Sequence, residues 1–245
     1  MSRTLPRLYV DAPLMANIAI PLNTDQTHYI CKVMRLELGD EMRVFNGKDG
    51  EWIATLAGDR KQGGLAKAER QTHKQVDSPD LWLLFAPIKS ARIDMIAEKA
   101  SELGARLLWP IMTQRTQAAR VNTDRLLANA IEAAEQCERL DVPKMCEPAR
   151  LETALDEWPA ERRLLVCAER AEAQELAAAL HSLPAGPMAL LVGPEGGFTD
   201  DELARMARYP FVTFVKLGPR ILRAETASFA ALSIWQAVKG DWQQG

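Results

Sequence analysis

Five apolar runs spaced along the last two thirds of the chain, LWLLFAP, RLLWPIM, RRLLVCA, MALLVG and FVTFVKLG, constrain the fold more than any other feature. Each is apolar at consecutive positions rather than alternate ones, the pattern of a strand covered on both faces. The segments between them have helical period. In RIDMIAEKASELG the residues Ile93, Ile96, Ala97, Ala100 and Leu103 fall on one side, and Gly104 supplies a stop. In TDRLLANAIEAAEQCERL the apolar stripe is Leu127, Ala130, Ile131, Ala134 and Cys137. Buried strands alternating with amphipathic helices predict an α/β domain with a parallel sheet over residues 73–245.

Residues 1–72 follow a different rhythm. RLYV, EMRVFNGKDGEWIATLAG and LAKAER alternate apolar and polar residues around the turn pairs Asn46-Gly47 and Asp49-Gly50, which predicts a small β-rich domain. Within it DQTHYICKVMRLELGD reads as helical, with His28, Lys32 and Arg35 at i, i+4 and i+7 on one basic face suited to phosphates. QTHKQVDSPD, polar and ending in proline before a strand, is the candidate linker.

A formal charge of -3 over 245 residues excludes a chain that coats nucleic acid by charge alone, so any RNA contact must be local. The cysteines, Cys31, Cys137, Cys146 and Cys167, form no C-x-x-C pair and read as reduced thiols. His28, His73 and His181 have no ligand spacing, and no metal site is expected. No apolar run is long enough for a signal peptide or a membrane span, so a cytoplasmic protein is expected.

Chemistry is expected where strands end. LLVGPEGGFTDDE breaks at Gly193 and restarts as a helix through a capping box, Thr199 with Glu202. LGPRILRAETAS follows the next strand, also through Gly-Pro. If those strands are parallel, both bends lie at the carboxyl edge of the sheet, where open α/β sheets bind ligands. A single Gly-Pro bend is ordinary punctuation; two, each carrying charge, favour a ligand. Neither is a G-x-G-x-x-G or a Walker loop, which excludes the common dinucleotide and NTP sites. The final helix, read from Ile221 to Val238, is apolar on two sides. Ala224, Ala227, Ala231, Ile234 or Trp235, and Val238 form one, and Leu222, Phe229 and Leu232 extend another. A sheet on one side and a second copy of the chain on the other would cover it, so a homodimer is expected.

These two bends, together with IKSARIDMIAEKASELG, PIMTQRTQ, AIEAAEQCERLDVP and VMRLELGDEMRVFNG, resemble the SPOUT-class RNA methyltransferases, in particular the family of 16S rRNA (uracil(1498)-N3)-methyltransferases. The resemblance covers nearly the whole chain. It implies a trefoil-knotted domain preceded by a PUA-like RNA-binding barrel, and a pocket for S-adenosylmethionine. The walls of that pocket would be Ala168 and Glu169; Leu191, Val192, Gly193, Pro194, Glu195 and Gly196; and Leu217, Gly218, Ile221, Leu222 and Arg223. Apolar side chains there would enclose adenine, and the amides of Gly193, Gly218 and Leu222 would meet its polar edge.

The resemblance implies methyl transfer to uracil N3, whose proton must first leave. Arg223 stays charged and suits stabilisation of the developing anion, and Glu195 or water would take the proton. Without the resemblance, Glu195 reads as a carboxylate near a helix N-terminus and Arg223 as an ion-pair partner of Glu225. For RNA, the resemblance points to Lys89, Arg92 and Lys99 on the first α/β helix, Arg115 in TQRTQ, and Gln136 and Arg139 on the stripe Glu132, Glu135, Gln136, Arg139. An exposed Glu135–Arg139 pair is the plainer reading of that stripe. The expected substrate is 16S rRNA, free or in the assembled small subunit. The rival readings are a SPOUT enzyme for another RNA or base atom and a non-catalytic ribosome assembly factor.

Overall fold

The structure, a computed structural model, describes residues 5–58, 64–117, 120–168 and 173–243. It forms two units: residues up to Asp77 with Ala134–Val142, and Ser78–Ala133 with Pro143–Gly245.

The first unit holds β1 (Arg7–Tyr9), β2 (Ala19–Pro21), α1 (Thr24–His28), β3 (Glu41–Phe45), β4 (Glu51–Gly58) and β5 (Leu65–His73). Their order in the sheet is β1-β3-β4-β5-β2, with β1 parallel to β3 and the other pairs antiparallel. Register shifts between β4 and β5 mark bulges, which add twist and curl the sheet around Ile20, Met42, Val44 and Leu56. β5 runs to His73, so the first residues of QTHKQVDSPD belong to the sheet.

The helical segment differs from its expected form. α1 opens with a capping box, Asn23 with Gln26, but gives way to a π turn over Tyr29–Val33, where the Met34 amide donates to Tyr29 O at 2.9 Å. Arg35 ends it with φ 56°. A π turn holds more than four residues, so i, i+4, i+7 spacing no longer marks one face. His28, Lys32 and Arg35 are all exposed, yet Arg35 stands beyond the helix in a left-handed position.

Arg7 joins residues 134–142 to this unit. Its buried guanidinium lies 2.7 Å from Glu51 Oε2, donates to the carbonyls of Ala134 at 2.7 Å and Arg139 at 2.6 Å, and stacks on Phe45. Burial alone would raise the Glu51 carboxyl, but hydrogen bonds from Arg7 and Thr72, with the charges of Arg7 and Arg43, hold it below the usual carboxylate range.

The second unit runs β6 (Leu81–Phe85), α2 (Ser90–Glu102), β7 (Leu107–Met112), α3 (Thr123–Gln136, its last turn in the first unit), β8 (Lys144–Met145), β9 (Ala149–Arg150), α4 (Leu151–Asp156), β10 (Arg163–Cys167), β11 (Gln174–Glu175), α5 (Leu176–Ser182), β12 (Met188–Val192), α6 (Asp200–Met206), β13 (Val212–Lys216) and α7 (Ala224–Lys239). The five apolar runs are β6, β7, β10, β12 and β13. The strand order is β11-β13-β10-β12-β6-β7-β8, with β9 also beside β7, and each pairing is parallel. All of β12 is buried, and each such leucine contributes about 1.5–3 kcal/mol.

α2 buries Ile93, Ile96, Ala97 and Ala100 and ends at Gly104, as its period predicts. α3 is turned by one position from expectation. Leu126, Ala130, Ala133 and Ala134 are buried, Leu127 and Ile131 are half-buried, and Cys137 is exposed beyond the helix end. The stripe read through Gln136 to Arg139 therefore does not exist, because α3 stops at Gln136 and Glu138 takes φ 63°. α7 begins at Ala224, and α2 and α5 flank it: Gln236 Nε2 donates to Leu103 O at 2.7 Å and Lys239 Nζ to Leu183 O at 2.9 Å. Part of its second apolar side is thus covered within the chain, while Leu222, Phe229 and Ile234 stay half-buried.

Candidate active site

β12 and β13 lie on either side of β10, all parallel, so the bends that follow β12 and β13 emerge at the same sheet edge with the end of β10 between them. They line one cavity of about 280 Å³. Of the residues expected there, Ala168, Val192, Gly193, Pro194, Glu195, Gly196, Leu217, Ile221 and Leu222 form its wall. Leu191 does not: its side chain is fully buried in the core with Leu84 and Ile111. Gly218 and Arg223 adjoin the wall in sequence but do not line it, and Glu169 lies outside the described residues.

The first bend is shaped by packing. Phe198 is buried against it, and a Cβ at Gly193 would come within 2.8 Å of the Phe198 ring, so only glycine fits there without displacing the aromatic. The Thr199–Glu202 capping box is present: Glu202 N donates to Thr199 Oγ1 at 3.3 Å, and Thr199 N to Glu202 Oε2 at 2.8 Å. Glu195 is exposed on the bend. In the second bend Gly218 has φ 96°, a backbone that disfavours any side chain, and Ile221 is 87% exposed. The amides of Gly193, Gly218 and Leu222 donate no hydrogen bond among the described residues. Donors held in place without partners are what a ligand's acceptor atoms satisfy.

Arg223 is the N-cap residue of α7 and is exposed, with no ion pair among the described residues. The partner proposed for it, Glu225, faces Arg92 instead, whose Nε lies 3.5 Å from Glu225 Oε1. Cys167 also lines the cavity, but burial pushes its thiol up to about 12, which keeps it protonated and non-nucleophilic at neutral pH.

The residues expected to grip RNA are distributed differently from their expected pattern. Lys89 is exposed before α2. Lys99 is held by Glu102 at 2.8 Å and Glu98 at 2.7 Å, and these hydrogen bonds raise its pKa above the ordinary lysine value. Gln136 is exposed at the end of α3, whereas Arg139 is largely buried, its guanidinium 2.9 Å from Asp141. Glu135, the other member of the plainer pairing, accepts from the Tyr9 amide through Oε1 at 2.8 Å. Arg115 lines the cavity and donates to Gly196 O at 2.8 Å.

Sequence reasoning missed Phe198, Lys216 and Arg220 on the cavity wall. An aromatic in the polar turn GGFTDD was a readable sign of a packed bend. Lys216 is a strand-end residue paired loosely with Glu175 at 3.5 Å, and no pattern marked it. Among the described residues no cluster of His, Cys, Asp and Glu is arranged to hold a metal ion, and no helix is long and apolar enough to cross a membrane.

Residues 76–236 match the RNA methyltransferase domain family, and residues 22–67 the RNA methyltransferase PUA domain family. The chain is 35% identical over 230 residues to a ribosomal RNA small subunit methyltransferase E from Rickettsia conorii, covering 93% of both chains. It is 33% identical to the protein of that name from Synechocystis, over 93% of this chain and 76% of the relative. Among solved structures, ribosomal RNA small subunit methyltransferase E from Neisseria gonorrhoeae, bound to S-adenosyl methionine, superposes with a TM-score of 0.86 at 28% identity, covering 97% of this chain and 99% of that one. With a parallel α/β domain, a PUA-like N-terminal domain and both family matches in place, the chain belongs to the RNA methyltransferase family that includes ribosomal RNA small subunit methyltransferase E.

Proposed function

We propose that this protein methylates N3 of a uridine in 16S rRNA, at the family's position 1498, with S-adenosylmethionine as methyl donor. The observation that carries this reading is the cavity shared by the two Gly-Pro bends, with amides that have no partner among the described residues at Gly193 and Leu222 in its wall and at Gly218 beside it. The residues present suit that donor. Val192, Leu217, Ile221 and Leu222 offer apolar surface to a flat base, the amides offer donors to its ring nitrogens, and Glu195 offers negative charge to a cation.

When bound, S-adenosylmethionine supplies a methyl group on a sulfonium, so a bond from uracil N3 forms as the carbon–sulfur bond breaks and its electron pair stays on sulfur. Arg223, exposed beside the cavity and without an ion pair among the described residues, stabilises the negative charge on the deprotonated uracil. Glu195, exposed on its bend, or water next to it receives the N3 proton. Ile221 projects beside the cavity, where its apolar side chain closes over bound donor and excludes water.

The same reading assigns residues 1–72 to RNA binding, with His28, Lys32 and Arg35 at phosphates, and residues 73–245 to catalysis through a trefoil-knotted chain. Lys89, Arg92, Lys99 and Gln136 are secondary RNA contacts. Half-buried Leu222, Phe229 and Ile234 support a homodimer through the C-terminal domain, and the protein acts in the cytoplasm on rRNA or the assembled subunit.

The test is transfer of labelled methyl from S-adenosylmethionine to small subunits purified from cells lacking this protein, followed by mapping of the modified nucleotide. Label at N3 of one uridine is the expected result. Saturable donor binding with no transfer to rRNA, or label on a different base atom, would overturn it.

A further inference from the structure

We propose that Arg115 is a positioning residue for the methyl-donor pocket, a brace on the bend at 193–198, and not a contact to RNA phosphate. This rests on reading the cavity as the donor site. Arg115 follows β7, and its Nη1 donates to Gly196 O at 2.8 Å and approaches Phe198 O at 3.4 Å. Its aliphatic stem lies along the bend: a Cβ placed on Gly196 would touch Arg115 Cβ and Cδ at 3.4 Å.

The neighbouring residue is tied in the opposite sense. Gln114 N donates to Glu202 Oε1 at 2.8 Å, while Oε2 of the same buried carboxylate accepts from Thr199 N at 2.8 Å. The turn after β7 is itself closed, with Thr113 N donating to Thr116 Oγ1 at 2.9 Å. Two peptide planes of the donor bend are consequently held at both ends. In the 196–197 plane the carbonyl is held by Arg115 and the amide donates to Pro194 O at 2.8 Å. In the 198–199 plane the carbonyl faces Arg115 and the amide is held by Glu202. Fixing these planes fixes the direction in which the bend presents its backbone to a ligand, the kind of preorganisation that raises affinity without a new ligand contact.

The experiment uses the full-length protein with S-adenosylhomocysteine, the demethylated product, as a non-reactive probe. For Arg115→Ala the probe should bind roughly tenfold more weakly, the size expected for a lost charge-assisted hydrogen bond. KM for the donor should rise with it, while kcat at saturation changes little. Arg115→Lys, which keeps one donor for Gly196 O, should recover most of the affinity. Affinity for rRNA and its salt slope should match wild type. Unchanged probe affinity with weaker RNA binding and a flatter salt slope would overturn the proposal and make Arg115 a phosphate contact. Amide exchange at residues 197 and 199 without ligand should accelerate in Arg115→Ala and stay near wild type in Arg115→Lys. Wild-type exchange rates there in Arg115→Ala, or in Arg115→Met should the alanine variant fail to fold, would overturn the brace. Failure of the wild type to bind the probe would instead refute the donor reading.

Discussion

The two bends that share the cavity are built in contrasting ways. The one at 193–198 is braced by Arg115, Glu202, Phe198 and its own turn bond. The one at 217–223 has exposed Pro219, Arg220, Ile221 and Arg223, and its clearest internal anchor is the Ala227 amide donating to Arg223 O at 2.8 Å as α7 begins. On the proposed function the contrast divides the labour: the preformed wall would receive the donor, and the bare wall would present a cation and an apolar side chain to ligand and RNA. Rigid groups reduce the cost of binding, while free groups can interact more strongly in the transition state than before it.

The largest effect should come from the bare bend. Arg223→Ala is expected to lower kcat by about 10²–10³-fold, the usual loss when an electrostatic stabiliser is removed, with donor affinity unchanged. Single-turnover methylation beside donor titration measures this, and near-normal turnover would break the contrast. Gly193→Ala probes the braced bend, since its methyl must displace the Phe198 ring. Overpacking of this kind costs about 1–3 kcal/mol. Calorimetry should show weaker donor binding and a lower melting temperature, and a variant that keeps both would mean Phe198 yields freely.

Ile221→Ala sharpens the comparison from the opposite side. Because the side chain is 87% exposed, its removal should leave the melting temperature unchanged but weaken donor binding by about 1 kcal/mol. A loss of stability would show that Ile221 is packed rather than bare. The smallest effect concerns Cys167 between the bends. With its thiol up at about 12 it stays neutral at pH 8 and gains thiolate only in strong alkali, so iodoacetamide at pH 8 should label exposed Cys137 and spare Cys167. Peptide mass mapping reads the result, and rapid labelling of Cys167 would contradict the raised pKa of this half-buried thiol.

What was legible in the residues is what depends on neighbours in sequence. Consecutive apolar runs gave five strands, the period of α2 gave its buried face, and Thr199 with Glu202 gave a cap. The shared cavity followed from adding one general rule about strand ends. Local irregularity defeated the same reasoning: the π turn at Tyr29–Val33 removed the basic helix face, and the left-handed Glu138 ended the stripe that was to carry Arg139. Partners distant along the chain were invisible as well. Arg115 meets Gly196 and Gln114 meets Glu202 only because β6 lies between β7 and β12 in the sheet, and no spacing encodes that. The resemblance supplied the donor and the base, which periodicity does not contain.

Amide hydrogen exchange of the wild-type protein, with and without S-adenosylmethionine, tests the joint pocket most directly. Protection on binding should appear in both segments, 193–198 and 217–223, with the larger change in the second because the first is already held. Protection confined to one bend, or absent from both while the donor is bound, would contradict a site built from the two.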